Sequence, residues 1–157
     1  MTYSLQVSNG DLVAQASQLS TVTGSQKLLQ DLALWVLTRM GSDPYNTPYG
    51  SLVDGGITPT GNIVPSPIGG STWSVTQNAI QQDLTRIVSA YQAAQNARMQ
   101  ADLAQFGKST LTNDEICTGI ADIDFSVNID VLTVNVAVTN ASNNQVSFSI
   151  PIQGSVI

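Results

Sequence analysis

From Asp122 to the C-terminus the apolar residues recur at every second position. Ile123, Phe125, Val127 and Ile129 alternate with Asp122, Asp124, Ser126, Asn128 and Asp130. Leu132, Val134, Val136 and Val138 alternate with Thr133, Asn135 and Ala137, and Val146, Phe148, Ile150 and Ile152 with Ser147, Ser149 and Pro151. Successive side chains of a strand point to opposite faces, so each run has one apolar and one polar face. A parity slip near Asn128–Val131 and the polar cluster Asn140–Asn144 mark the two turns. The pattern predicts a three-stranded antiparallel meander, which needs a cover for its apolar face from elsewhere in the chain.

Two helical patterns supply that cover. Leu28, Leu32, Trp35, Val36 and Arg39 recur at helical spacing and predict a helix over 25–40, with Thr23 and Gln26 spaced as a capping box and Gly41 as the residue after its end. Ile80, Leu84, Ile87, Val88, Tyr91, Ala94, Ala101 and Phe106 predict a second helix over 75–106, opened by Ser74 and Gln77 and ended by Gly107. At roughly 1.5 Å per residue it would be ~48 Å long, so part of it projects to meet a partner or kinks back. A third box, Thr112 to Glu115, predicts one or two further helical turns. The expected class is α+β, long helices packed on a C-terminal three-stranded meander.

The rest is less regular. Tyr3, Leu5 and Val7 alternate before the turn residues Asn9-Gly10, which predicts a short strand or extended arm that could lengthen the meander. Between Gly41 and Trp73 lie five of the six prolines and seven of the twelve glycines, excluding a long helix or a central strand. This 41–73 segment reads as a long loop inside one domain, 1–157, either functional or a tolerated surface insertion. No internal repeat is visible.

Composition narrows the function. Without histidine the usual general base, the usual zinc ligand and a Ser-His-Asp triad are absent. A net charge of −6, with Lys27, Arg39, Arg86, Arg98 and Lys108 scattered, argues against binding nucleic acid. No stretch approaches the ~18 apolar residues of a membrane span, and Met1–Gly10 lacks the features of a signal peptide, so the expectation is a soluble protein made in a cytoplasm. Only 10% of residues are charged, against roughly 25% in soluble domains; such a surface suits a chain packed among other chains.

Candidate chemical sites are weak. Asp122, Asp124, Ser126, Asn128 and Asp130 have the spacing of a calcium loop, but its glycine and glutamate positions hold Val127 and Thr133. A glycosidase needs two carboxylates of separated pKa across a cleft; Glu115 is the sole glutamate, and no aspartate pair stands in an apolar, enclosed setting. Cys117 reads as a small buried hydrophobe, Trp35 as core and Trp73 as a staple before the second helix. No metal, cofactor or catalytic residue is expected. The 27 residues from Val131 to Ile157 carry no charge, and the last strand has only Pro151 to block pairing. Such an edge suits strand addition by a partner through Val146, Ser147, Phe148, Ser149 and Ile150, unless the Tyr3–Val7 stretch covers it.

The run Gly24–Gly41, ending Leu37-Thr38-Arg39-Met40-Gly41, is followed by Pro48-Tyr49-Gly50-Ser51. Together with the meander, this order resembles, over roughly residues 12–152, the baseplate wedge or sheath-initiator family of contractile-tailed phages and related injection machines. The resemblance implies a virion protein of the tail baseplate, assembled in the host cytoplasm. Its partners would be the tail sheath protein, other wedge proteins and the tail tube, and its sheet edge would template the sheath. It also implies a turn at Pro48, Tyr49, Gly50 and Ser51 and a wedge contact at Glu115, although Ile116 and Cys117 replace the family's Pro-Arg; read physically, that turn is structural, with Gly50 at positive φ, where a side chain is costly. The alternatives are a baseplate-bound cell-wall hydrolase and a tail-tube or terminator adaptor.

Overall fold

The computed structural model describes residues 2–8, 11–15, 18–68, 73–128 and 131–153. The expected turn at Asn9-Gly10, and Ile129 and Asp130 of the first meander turn, lie outside them. The chain runs through short strands β1 (Ser4–Leu5), β2 (Val7–Ser8), β3 (Asp11–Leu12), β4 (Ala14–Gln15), β5 (Gln18–Leu19) and β6 (Thr21–Val22) into helix α1 (Gly24–Leu37). The hairpin β7 (Gly56–Ile57) and β8 (Ile63–Val64), helix α2 (Trp73–Phe106) and strands β9 (Cys117–Asn128), β10 (Val131–Asn140) and β11 (Gln145–Gln153) complete it.

The meander forms as the alternation predicts, antiparallel in the order β11-β10-β9. Central β10 buries Leu132, Val134, Val136 and Val138 on one face and leaves Thr133, Asn135, Ala137 and Thr139 half-buried on the other. α1 lies over β11 and α2 over β9. Leu28, Leu32, Ile80, Leu84 and Ile87 meet the β10 valines in one core, with Ile150 buried and Val146, Phe148 and Ile152 packed against it. The cover required by a one-faced sheet is therefore made by helices from the same chain. Among the described residues the architecture is α+β with two helices, of which only α2 is long.

Several local expectations change. α1 stops at Leu37, three residues early, because Ser51 competes for its last carbonyls: the Ser51 hydroxyl donates to Val36 O at 2.6 Å and the Ser51 N–H to Thr38 O at 2.7 Å. Thr23 is the N-cap of α1, but its side chain makes no capping hydrogen bond. Trp73 opens α2 rather than preceding it, its ring edge-on to Phe125 at 6.3 Å. Thr112–Glu115 closes a single turn, not a helix.

The N-terminal segment does not extend the meander. β1 pairs with β6, β2 with β3 and β4 with β5. Its ties outside itself go to side chains: the Gln30 amide donates to Leu5 O at 2.8 Å and accepts from Val7 N–H at 2.9 Å, and Glu115 binds Thr2. Its described strands pair with one another, so none of them adds to the meander.

α2 is buried only through its first two thirds, from Thr76 to Gln95. Beyond Gln95 its side chains are exposed or half-exposed, including Leu103 and Phe106, so the helix overhangs the sheet. Its end is closed by Gly107 N–H to Leu103 O at 3.0 Å and by Asp102, which accepts from Thr110 N–H and hydroxyl at 2.9 and 2.5 Å. Between the helices, Lys27, Asp31 and Tyr91 form a hydrogen-bonded chain; burial, then the Asp31 carboxylate, pushes the Tyr91 hydroxyl far up from its ordinary pKa.

Candidate functional site

Strand β11 is an edge, and Pro151 is the one residue in its sequence that guards it. Its nine residues pair with β10 in unbroken register, from Gln145 opposite Thr139 to Gln153 opposite Val131. Among the described residues no strand pairs with its other side. The opposite edge, β9, is different: its register shifts twice, once between the partners of Ala137 and Val138 and once between those of Thr139 and Asn140, and it exposes Asp122 and Asp124. Bulges and charges are the devices that keep foreign strands off an edge. Ile150 is buried and Val146 and Phe148 half-buried towards the helices, while Ser147 and Ser149 face solvent. Ser149 donates across the outer face to Asn135 Oδ1 at 2.6 Å.

The turn Pro48–Ser51 is a brace for the end of α1. Gly50 has a φ of +101°, and a Cβ there would stand 2.7 Å from Thr38 O and 2.9 Å from Met40 N. Tyr49 stacks on Trp35 at 4.9 Å, and Trp35 meets Tyr91 edge-on at 5.6 Å, tying the turn to both helices. Ser51 bridges to Arg39 as a parallel β-bridge, with Met40 N–H on Ser51 O at 2.8 Å.

α2 grips this turn through one ion pair. Buried Asp83 accepts from Leu52 N–H at 2.6 Å with one oxygen and from Arg86 Nε at 2.9 Å with the other. Arg86 Nη2 donates onward to Gly50 O at 2.7 Å, and Nη1 to Pro48 O at 3.3 Å. The rest of the 41–68 stretch is held as closely, by the β7–β8 hairpin and by the Ser66 hydroxyl on Val53 O at 3.1 Å.

Glu115, the residue for which the resemblance implies a wedge contact, is 1% exposed. Its carboxylate accepts four hydrogen bonds: from Thr2 N–H and hydroxyl at 3.2 and 2.5 Å, and from Thr112 N–H and hydroxyl at 2.7 and 2.9 Å. Burial pushes its pKa up, but the Thr2 and Thr112 bonds outweigh that and hold it below the ordinary glutamate range. The side chain is an internal tie between the N-terminal segment and the start of β9 rather than a surface group. Gln95 completes the joint, donating to Glu115 O at 2.6 Å and accepting from Cys117 N–H at 2.9 Å.

No family model, curated protein or solved structure matches this chain. Among the described residues no three His, Cys, Asp or Glu side chains come together as a metal-holding group, and no helix is long and apolar enough to cross a membrane. Asp83, Arg86, Gln95 and Gln30 escaped sequence reasoning. A signal existed for two of them: Asp83 and Gln95 fall on the apolar stripe of α2, between Ile80 and Ile87 and four residues after Tyr91. A polar residue on a buried stripe needs a partner, which the sequence does not name.

Proposed function

We propose that this chain is a structural, non-catalytic component of a phage-type tail baseplate that offers the β11 edge to extended arms of sheath subunits. The observation that carries the reading is the contrast between the two edges of one sheet: β9 bulged and acidic, β11 regular and uncharged. Strand addition draws its affinity from main-chain hydrogen bonds, so such an edge templates a polymer without any reactive group. The motif order Leu37–Gly41 and Pro48–Ser51 supports the assignment to a tail machine. Partners on this reading are the sheath protein first, then neighbouring wedge proteins and the tail tube, with neither nucleic acid nor membrane involved. A hydrolase draws no support from Glu115, whose oxygens are both engaged by neutral donors.

The direction of the edge follows from Pro151. Proline has no N–H to give β10, and within a strand it sits where its nitrogen turns away from the neighbour. In an antiparallel strand this side alternates with each residue, so Ser147 and Ser149 share the open side with Pro151. Ser147→Pro should leave the monomer folded, with an unchanged circular dichroism spectrum and baseplates that still form, yet abolish sheath polymerisation on those baseplates; Ser147→Ala should leave both folding and polymerisation intact. Normal sheaths on the proline variant would overturn the reading.

A further inference from the structure

Beside the end of the β11 edge lies a depression of about 220 Å³, walled by Val36 and Leu37 of α1, Val53, and Ile150 and Ile152 of β11. Small-molecule sites usually begin near ~300 Å³, so this space suits a single side chain better than a free ligand. Two charged, exposed residues also line it, Arg39 and Asp54. The two ion pairs among the described residues, Lys27–Asp31 and Arg86–Asp83, leave the Arg39 guanidinium outside any pair. In a chain of net charge −6, an uncommitted cation at the rim of an apolar hollow is a point of charge complementarity for an acidic partner group.

We infer that this depression is the side-chain socket of the strand-addition site. The strand that pairs with β11 seats one branched aliphatic side chain between Leu37, Val53 and Ile152, and a carboxylate two positions along, on the same face of that strand, binds Arg39. The inference rests on the strand-addition reading and adds its specificity: backbone pairing accepts many sequences, and a pocket for alternate side chains selects among them. The partner segment is thus an extended strand with an aliphatic residue and an Asp or Glu two positions from it. A second acidic residue would be disfavoured by Asp54.

The test uses the full chain and labelled nine-residue peptides of alternating Thr and Val. One Val position is varied through Ala, Val, Ile, Leu, Trp and Lys, and the next Val, two residues along on the same face, through Asp, Asn and Lys, with binding read by fluorescence anisotropy. At one position Val, Ile and Leu should bind about tenfold better than Ala, the scale of a filled against an underfilled apolar pocket. Leu37→Glu should erase that preference, and Arg39→Gln should erase only the preference for Asp over Asn two positions along. Both side chains are exposed, Leu37 by 65%, so both variants keep the fold. Peptide binding with a flat or aromatic-seeking profile, or a preference that survives both variants, overturns the socket while leaving strand addition standing. Binding that appears only in a chain ending at Gln153 assigns the hollow to the chain's own last residues and overturns it too. If no peptide binds, strand addition fails and the socket with it.

Discussion

Thr2 and Glu115 stand 113 positions apart in sequence, and both donors of Thr2 converge on a single oxygen of the Glu115 carboxylate. That oxygen anchors the N-terminal segment, and its partner oxygen closes the turn before β9 through Thr112. Hydrogen bonds to a charged acceptor contribute about 1.5–3 kcal/mol each when buried, and an amide cannot accept from all four donors. Glu115→Gln should therefore destabilise the chain by about 2 kcal/mol or more at neutral pH, as read by urea denaturation.

The same carboxylate sets a pH dependence. Its folded pKa lies below its unfolded one, so the unfolded chain takes up the proton first as pH falls. The stabilisation is complete above the unfolded value, ~4.3, and is lost as pH falls through the depressed folded value. The difference between wild type and Glu115→Gln should be constant from neutral pH down to about pH 5 and shrink below about pH 4. A difference that persists undiminished at still lower pH would remove the carboxylate from the account.

Gly50→Ala should be far more damaging than Gly61→Ala. Both glycines have positive φ, but a Cβ at Gly61 meets nothing within 4 Å, whereas one at Gly50 meets the Thr38 carbonyl at 2.7 Å. The left-handed conformation alone costs a side chain about 1 kcal/mol. Gly50→Ala adds the displacement of the brace and should lose about 3 kcal/mol or more in chemical denaturation, a backbone-strain effect at the upper end of the usual range.

Arg86→Ala should destabilise by about 3 kcal/mol, because it strands buried Asp83 without its cation and frees the Gly50 and Pro48 carbonyls. Arg86→Lys should rescue little of this. An ammonium is a point charge and lacks the fork that reaches Asp83 and the turn carbonyls together. A full rescue by lysine in thermal denaturation would show that charge alone suffices.

Cys117 should be inert to thiol reagents in the folded chain. It is 4% exposed, and burial pushes its thiol pKa up, which leaves little thiolate to react. Labelling should proceed only as fast as the α2–β9 joint opens, and Gln95→Ala, which leaves that joint only the Gln92 Nε2 bond to Cys117 O at 3.3 Å among its side-chain ties, should accelerate it.

The periodicity of the sequence determined the meander, the two helices and the face that each buries, because the spacing of apolar residues sets which side of a helix or strand leaves water. Val134, Val136 and Val138 and the stripe Ile80–Leu84–Ile87 could be assigned to the core before any contact was known. The absence of charge along β11 was equally plain. Tertiary structure alone decided where the polar side chains go. Asp83 could have been a surface residue, Glu115 a docking group and Tyr3–Val7 a fourth strand; instead Asp83 holds Leu52 N–H, Glu115 holds Thr2, and β1 pairs with β6. Burial follows from a local, repeating pattern, whereas a hydrogen bond between residues such as 2 and 115 depends on how two distant segments arrive together, and no local pattern encodes that meeting.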